Sequence, residues 1–358
     1  MSAPRPLVLH SDPADGARHA LAALPGDLAP ALAAATGATV SVLPPVQAAS
    51  PDDLLRGAAG HGSDLVELAR EHDVVQALDV PAAAAALAAR RLGGPPVLAR
   101  VALAGLPLDG STHRSVAALA RGADAVLAPS AAHADLLRPL TGVPAVEALL
   151  EALSAHELAA QDGGAHPVDP SGAPRLLVLG GAPWSRTVLG GLLRSVVEDR
   201  DLRVSVTGSP DDAPARALRA GADRLGVADR VEWAGEVEGS ALREQLDAAT
   251  AVLDPGNSTD ATRVPLAAMA RGRAVLAPAR QAAADVVVPG VTGALFGTGD
   301  ERSVARTTLA TLHDGFRCSA YGVAGADRLR SRFAADRVLR AVQECSAALA
   351  GTPDSRTA

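Results

Sequence analysis

Short apolar runs alternate with longer mixed stretches along the chain, and this alternation predicts most of the secondary structure. In the first half, runs of strand length occur at residues 7–10, 39–43, 74–76, 97–101 and 125–128. Each run is preceded or followed by a stretch rich in alanine, leucine and arginine, which favours a helix. Strands that alternate with helices in this way predict a parallel, doubly wound α/β sheet.

The pattern breaks once and then resumes. Residues 161–174, QDGGAHPVDPSGAP, concentrate Gly, Pro, Asp and Ser and carry no apolar period, which is typical of a linker. Beyond this segment, further apolar runs predict strands near residues 176–179, 202–207, 231–233, 251–253 and 274–276. With 358 residues the chain is long enough for two domains, each with its own core.

Composition excludes several classes of function. The sequence contains no lysine, so a Schiff-base lysine, a pyridoxal-phosphate lysine and a P-loop lysine are all ruled out. A formal net charge of -7 and an aromatic content of 2% argue against a nucleic-acid binder, which needs a basic surface and stacking side chains. We therefore expect no nucleic-acid partner.

The cysteines and the apolar segments point to an intracellular globular protein. Cys318 and Cys345 have no C-x-x-C or His-Cys spacing, so we expect two buried or half-buried thiols and no metal site. Residues 7–10 are too short a run for a signal sequence or a membrane span, which predicts a cytoplasmic protein. The alanine-rich residues 80–89 are predicted to form a buried helix, and any membrane contact is expected to be peripheral at most.

Residues 251–277 carry the most informative local pattern. Strands at 251–253 and 274–277 bracket a loop and an apolar helix at 265–270, as in a βαβ unit. The loop before the helix is a candidate anion site, because helix N-termini offer unpaired N–H groups. The alternative is that Ser258, Thr259 and Asp260 only cap the helix.

The motifs around this unit resemble those of GT-B glycosyltransferases, and most closely the retaining family four, or glycosyl transferases group 1. Residues 266–272, LAAMARG, resemble the family's L-E-A-M-A-x-G, and residues 290–295, GVTGAL, resemble its G-x-x-G-x-L turn. Residues 123–130, ADAVLAPS, resemble A-D-x-V-I-A-x-S in the N-terminal half. The resemblance implies two Rossmann-like domains facing each other across a cleft, with a C-terminal helix crossing back to the N-terminal domain.

Domain boundaries follow from this resemblance and from the linker. We expect an N-terminal, acceptor-side domain over residues 1–160 and a linker over 161–174. A C-terminal, nucleotide-sugar domain is expected over 175–320. A helical segment returning to the N-terminal domain is expected over 321–350, and a polar tail over 351–358.

The resemblance also assigns a donor site, although several family residues are replaced. The family's two glutamates, for the donor sugar and the ribose, fall on Thr259 and Ala267, and its phosphate-binding Arg and Lys fall on Gly181 and Arg186. The family's active-site histidine is absent near residues 99–105. The expected donor-binding residues are Gly16, Arg186, Thr259, Asp260, Ala261, Thr262 and Arg263. No catalytic residue is nominated, and no metal or other cofactor is expected.

The resemblance implies transfer of a hexosyl unit from a nucleotide-sugar donor to an acceptor with retention. Because the family carboxylates are missing, an alternative stays open: a catalytically inactive GT-B-like protein that binds or activates a partner glycosyltransferase. Other GT-B chemistry, such as sugar-nucleotide epimerisation, is a further alternative. Whether the chain is an enzyme, and which acceptor it uses, are left open by the sequence.

Overall fold

The chain forms two compact units. The computed structural model describes residues 4–11, 29–30, 32–34, 36–44, 51–100, 117–128, 131–148, 150–160, 172–179, 184–209, 211, 213–255, 262–279 and 281–351. The N-terminal unit comprises Met1–Ala17, Leu24–Leu153 and Ala335–Ala358, and the C-terminal unit comprises Arg18–Ala23 and Ser154–Ala334. The predicted linker lies mostly outside the described residues, so the predicted domain boundaries stay a prediction.

A six-stranded parallel sheet forms the centre of the N-terminal unit, in the order β2-β1-β3-β4-β5-β6. Its strands are β1 (Pro6–Ser11), β2 (Thr39–Leu43), β3 (Val74–Ala77), β4 (Val97–Arg100), β5 (Ala125–Ala128) and β6 (Ala145–Glu147). Every residue of β3, β4 and β5 is buried. This explains their continuous apolar sequences, since a central parallel strand is covered on both faces.

Helices cover this sheet, and the alanine-rich one is buried as predicted. They are α1 (Pro51–Gly60), α2 (Gly62–Arg70), α3 (Val80–Arg91) and α4 (Ala131–Thr141). Asp79 begins α3 as an N-cap, accepting the N–H of Ala82 at 2.8 Å. The small side chains of α3 let it pack closely on its neighbours, and the unit's core includes them.

The C-terminal unit contains a second six-stranded parallel sheet, in the order β12-β11-β10-β7-β8-β9. Its strands are β7 (Arg175–Val178), β8 (Arg203–Thr207), β9 (Val231–Gly235), β10 (Ala251–Leu253), β11 (Ala274–Pro278) and β12 (Gly293–Phe296). Counted within the unit, this is the 3-2-1-4-5-6 order of the Rossmann fold. The predicted doubly wound architecture is therefore confirmed.

The helices of the C-terminal unit lie between and after these strands. They are α5 (Glu151–Ala160), which begins in the N-terminal unit, α6 (Arg186–Glu198), α7 (Ala213–Leu225), α8 (Gly239–Ala248), α9 (Arg263–Ala270), α10 (Gln281–Val286), α11 (Glu301–Leu312) and α12 (Gly315–Arg332). Helix α9 begins two residues before its predicted start at residue 265.

The last helix, α13 (Ala335–Ala350), belongs to the N-terminal unit, as the predicted return of the chain requires. It packs on β3, β5 and β6. The buried amide of Gln76 in β3 donates to the buried hydroxyl of Ser346 at 2.9 Å. None of the helices in the described part of the chain has the length and apolar character to span a membrane. The cytoplasmic location stays a prediction.

Candidate functional site

Strand order places two loops of the C-terminal unit side by side. Strands β7 and β10 are paired neighbours, with Val178 opposite Leu253. The chain leaves β7 toward β8 and β9 on one side and returns to β10 on the other side. Such a reversal opens a crevice at the carboxyl ends of the two strands, where α/β proteins bind their ligands. The segments that follow β7 and β10 therefore form the candidate site.

After β7, the chain enters α6 through a well-formed cap. Ser185 has extended backbone angles and accepts the N–H of Val188 at 3.0 Å, which fixes the first turn of α6. Trp184, the residue before the cap, packs against the core of the unit. Arg186 is the first residue of α6 and is exposed. This places one guanidinium at the positive end of a helix dipole, where an anion is favoured.

After β10, the chain enters α9 without a side-chain cap. Thr262 is the N-cap residue, but it has helical backbone angles (φ -95°, ψ -21°) and its side chain makes no capping bond. Its hydroxyl is buried, with 1% of the residue exposed, and no described residue hydrogen-bonds to it. A buried hydroxyl without a partner costs free energy, which a ligand bound at this helix end would recover.

The N-cap residue of α9 is Thr262. Ser258, Thr259 and Asp260, the residues of the capping alternative, lie outside the described part of the chain, so that alternative stays a prediction. Arg263, the first residue of α9, is half-buried at the same helix end.

A buried ionic cluster holds the far end of α9 in place. Arg271, which follows the helix, binds both carboxylate oxygens of Asp247 at 2.9 and 2.7 Å and donates to the carbonyl of Leu158 at 3.3 Å. Arg273 donates to the carbonyl oxygens of Leu246 and Asp247 at 2.9 and 3.0 Å. Burial lowers the pKa of Arg273, and the charge of Asp247 opposes that change. The cluster fixes the axis of α9 and so the direction of its N-terminus.

The structure brings some of the predicted donor-binding residues together. Arg186, Thr262 and Arg263 lie on the two helices that follow the neighbouring strands β7 and β10. The other predicted residues, Gly16, Thr259, Asp260 and Ala261, lie outside the described residues. Ala267, aligned with a family glutamate, is buried in α9. The described part of the site thus contains two arginines, two helix N-termini and a hydroxyl, a set that suits a diphosphate.

One acidic residue of the site was not predicted. Asp254 directly follows β10, its N–H donates to the carbonyl of Leu276 at 2.8 Å, and only 2% of it is exposed. A buried carboxylate at a strand end in the crevice is a candidate hydrogen-bond partner for the hydroxyl groups of a bound ligand. The available signal was its place immediately after an apolar strand, although burial cannot be read from that place alone.

Among the described residues, no three His, Cys, Asp or Glu side chains are grouped so that they could hold a metal ion. The absence of a cofactor stays a prediction.

Comparisons with known proteins agree with this architecture. Residues 176–314 match the model of the family described as "Glycosyl transferases group 1". The sucrose-phosphate synthase structure from Thermosynechococcus elongatus superposes with a TM-score of 0.75 at 16% identity, over 96% of this chain and 99% of that chain. The chain has the GT-B fold.

Further GT-B structures superpose over nearly the whole chain. The Anabaena protein HepE, in complex with UDP-glucose, has a TM-score of 0.68 at 17% identity, covering 96% of this chain and 99% of that chain. A glycosyltransferase from Rickettsia africae has a TM-score of 0.71 at 12% identity, covering 98% and 100%. At these identities the likeness shows the GT-B fold alone. A comparison with curated proteins found no match.

Proposed function

We propose that this GT-B protein transfers a hexosyl unit from a nucleotide-sugar donor to an acceptor, with retention. The observation that carries the proposal is the pair of helix N-termini, α6 with Arg186 and α9 with Thr262, at the carboxyl ends of the neighbouring strands β7 and β10. The match of residues 176–314 to glycosyl transferases group 1 supports it. So does the structure of HepE in complex with UDP-glucose.

In the proposed reaction, an acceptor oxygen forms a bond to the anomeric carbon while the bond from that carbon to the diphosphate breaks. Negative charge develops on the leaving diphosphate, which takes up the proton that the acceptor hydroxyl loses. Arg186 and the N–H groups of α6 and α9 stabilise that charge, because preorganised donors cost no reorganisation as charge develops. No side chain is assigned as a general base. Catalysis then rests on positioning and on stabilisation of the leaving group.

A second candidate function is favoured by one observation. Ala267 is buried in α9 where the aligned family members carry a glutamate, so this chain lacks that acceptor for the ribose. A charged hydrogen bond is worth about 1.5–3 kcal/mol, enough to weaken donor binding strongly. The alternative is a catalytically inactive GT-B protein that binds or activates a partner glycosyltransferase.

Nucleotide binding separates the two candidates. We would measure the thermal stability of the protein with UDP, GDP, ADP and TDP and with the matching sugar nucleotides. A nucleotide at 100 times its dissociation constant stabilises the fold by about 2.7 kcal/mol. Stabilisation by the nucleotides of one base, and not by the others, supports the donor site. Stabilisation by none of them, in a folded sample, would favour the partner-binding candidate.

Arg186→Ala tests the site itself. We expect the dissociation constant of the stabilising nucleotide to rise at least about tenfold, because a charge-assisted hydrogen bond to phosphate is lost. Arg194→Ala is the matched control: it lies on the same helix and its exposed ion pair with Glu198 contributes little. Calorimetric titration of both variants gives the comparison. Unchanged affinity in Arg186→Ala would remove this residue from the site.

A further inference from the structure

A cavity of about 230 Å³ lies in the C-terminal unit, near the C-terminal ends of α5, α9 and α12. Two polar residues, His156 and Arg330, contribute to its lining. The candidate donor site lies at the other end of α9, so this cavity is a separate feature. Its apolar lining comprises Ala159 and Ala160 of α5, Met269 and Ala270 of α9, and Ala326 and Leu329 of α12, and all of these residues belong to one unit.

The protein's own contacts hold the walls of the cavity. Arg271 donates from Nη1 to the carbonyl of Leu158 at 3.3 Å, which joins α5 to the turn after α9. The Nε2 of His156 lies 3.0 Å from the carbonyl oxygen of Phe333, which joins α5 to the residue that follows α12. Helices α9 and α12 pack directly on each other. The cavity is therefore preformed, as most small-molecule sites are.

The size and the lining of the cavity fit an aromatic ring. The alanines leave space between the three helices because their side chains are short. An apolar cavity of about 150 Å³ takes up benzene, so this larger one has space for a six-membered ring with one or two small substituents. Met269 is buried in the wall, and a thioether makes favourable contacts with the edge of an aromatic ring.

The polar surroundings favour a ligand that donates a hydrogen bond. A carbonyl oxygen only accepts, so the Nε2 of His156 carries the hydrogen that Phe333 receives, and the Nδ1 of the neutral ring is an acceptor. Three helices approach the cavity with their C-terminal ends. The partial negative charge at those ends disfavours an anion.

Arg330 does not reverse this preference. It is exposed, and its guanidinium is paired with the carboxylate of Asp327 at 2.5 Å, which balances its charge. A guanidinium beside an aromatic ring is itself favourable. The lining as a whole therefore suits a neutral aromatic ring that carries a hydroxyl group.

We propose that this cavity binds a small phenol. The ring of the phenol packs on Met269, and its hydroxyl donates to the Nδ1 of His156. Neither contact involves the donor site, so this binding is independent of the proposed glycosyl transfer.

Methyl-labelled methionine provides a local probe, because Met269 and Met1 are the only methionines in the sequence. We would titrate p-cresol, toluene and p-toluate into the protein at pH 8, where an imidazole is neutral, and follow the methyl signal of Met269 by NMR. The variants are His156→Phe, which removes the acceptor, and Ala159→Leu, which fills part of the cavity. Ala320→Leu is the matched control, because Ala320 is exposed on α12 and does not line the cavity.

In wild type and Ala320→Leu, we expect p-cresol to shift the Met269 signal saturably, through the ring current of the bound ring, and to bind more tightly than p-toluate. In His156→Phe the dissociation constant of p-cresol should rise at least about fivefold, since the buried hydroxyl loses its partner. Toluene has no hydroxyl, so its affinity should not change in His156→Phe. Ala159→Leu should weaken the binding of both at least about tenfold, because the space is taken.

The phenol site is refuted if p-cresol gives no saturable shift in wild type, or if Ala159→Leu binds it as wild type does. It is also refuted if p-toluate binds more tightly than p-cresol, or if His156→Phe does not weaken p-cresol more than toluene. Should His156→Phe not fold, p-methylanisole takes its place. Without a hydroxyl hydrogen, p-methylanisole should bind wild type at least about fivefold more weakly than p-cresol, and equal binding would overturn the proposal.

Discussion

Replacing Gly322 by alanine should destabilise the C-terminal unit, although alanine is the better helix former. Gly322 lies in the middle of α12, which packs against the turn between α9 and β11. A Cβ atom at Gly322 would lie 1.9 Å from the carbonyl oxygen of Gly272 and 2.6 Å from its carbonyl carbon. Both atoms are backbone, so no side-chain rotation can relieve the overlap.

The turn itself has little freedom to move. Gly272 has a φ of 64°, and the N–H groups of Arg271, Gly272 and Arg273 all donate to carbonyls at the end of α9. The side chains of Arg271 and Arg273 are 1% exposed and are held by Asp247 and the end of α8. Overpacking of such a contact costs about 1–3 kcal/mol or more, against a gain of about 0.5–1 kcal/mol from helix propensity.

Gly325→Ala is the matched control in the same helix. A Cβ atom there would meet the Cγ atom of Met269 at 3.0 Å, and a flexible methionine can move away. Both substitutions gain the same helix propensity, so their difference isolates the clash. We expect Gly322→Ala to be less stable than Gly325→Ala by about 2–3 kcal/mol, with a melting temperature lower by several degrees.

Urea unfolding followed by circular dichroism would measure this difference, provided that the free energy of unfolding depends equally on urea concentration in both variants. Equal free energies of unfolding for Gly322→Ala and Gly325→Ala would refute the reasoning. That result would mean that α12 can move away from the Gly272 turn at no cost.

Two further predictions concern titratable groups. Burial opposes ionisation of Asp199, but bonds from His313 at 2.9 Å and from the N–H of Asp201 outweigh it, so its pKa lies below the ordinary 3.8. The stability that ionised Asp199 contributes is therefore fully present above the ordinary pKa of 3.8, and it is lost as the pH falls through the lower pKa of the folded state. In Asp199→Asn, the free energy of unfolding should therefore fall less steeply as the pH is lowered, which urea titrations at a series of acidic pH values would measure. A pH dependence equal to that of wild type would contradict this. Burial raises the pKa of Cys318 to about 11 and also raises that of Cys345, so a short pulse of iodoacetamide at pH 7.5 should leave Cys318 unmodified until the protein is unfolded. Rapid native labelling of Cys318, detected by mass spectrometry, would show that its burial is wrong.

Much of the fold could be predicted because central parallel strands are buried on both faces. Strands β10 and β11 read as unbroken apolar runs for this reason, and the linear pattern identifies them. Strand β6, with the sequence AVE, lies at the sheet edge, is only partly buried and ends in a charged residue, so it has no unbroken apolar run and is not predicted. The 3-2-1-4-5-6 order depends on pairing between distant segments, so only the resemblance could suggest it.

The candidate site was predicted less completely. The family resemblance assigns Arg186 and Thr262 to the donor site; the structure shows that each stands at the start of a helix that follows β7 or β10, and their role in donor binding stays a prediction. The lack of a side-chain cap on Thr262 depends on its backbone angles, which the sequence does not specify. Likewise, Asp254 and Arg100 are buried only because neighbouring strands and helices cover them. Polar residues usually indicate exposure, so their burial had no signal in the sequence.

The return of α13 to the first unit affects the order in which the protein can fold during synthesis. The amide of Gln76 and the hydroxyl of Ser346 are 270 positions apart in the chain, yet they meet in one core. A ribosome therefore releases the whole C-terminal unit before the first sheet receives its last covering helix. Until then, part of β3, β5 and β6 is not covered by α13. A nascent chain whose synthesis stalls before α13 therefore exposes apolar surface of the N-terminal unit, although that unit was synthesised first. Truncation before α13 should for the same reason damage the N-terminal unit first, far from the cut in sequence.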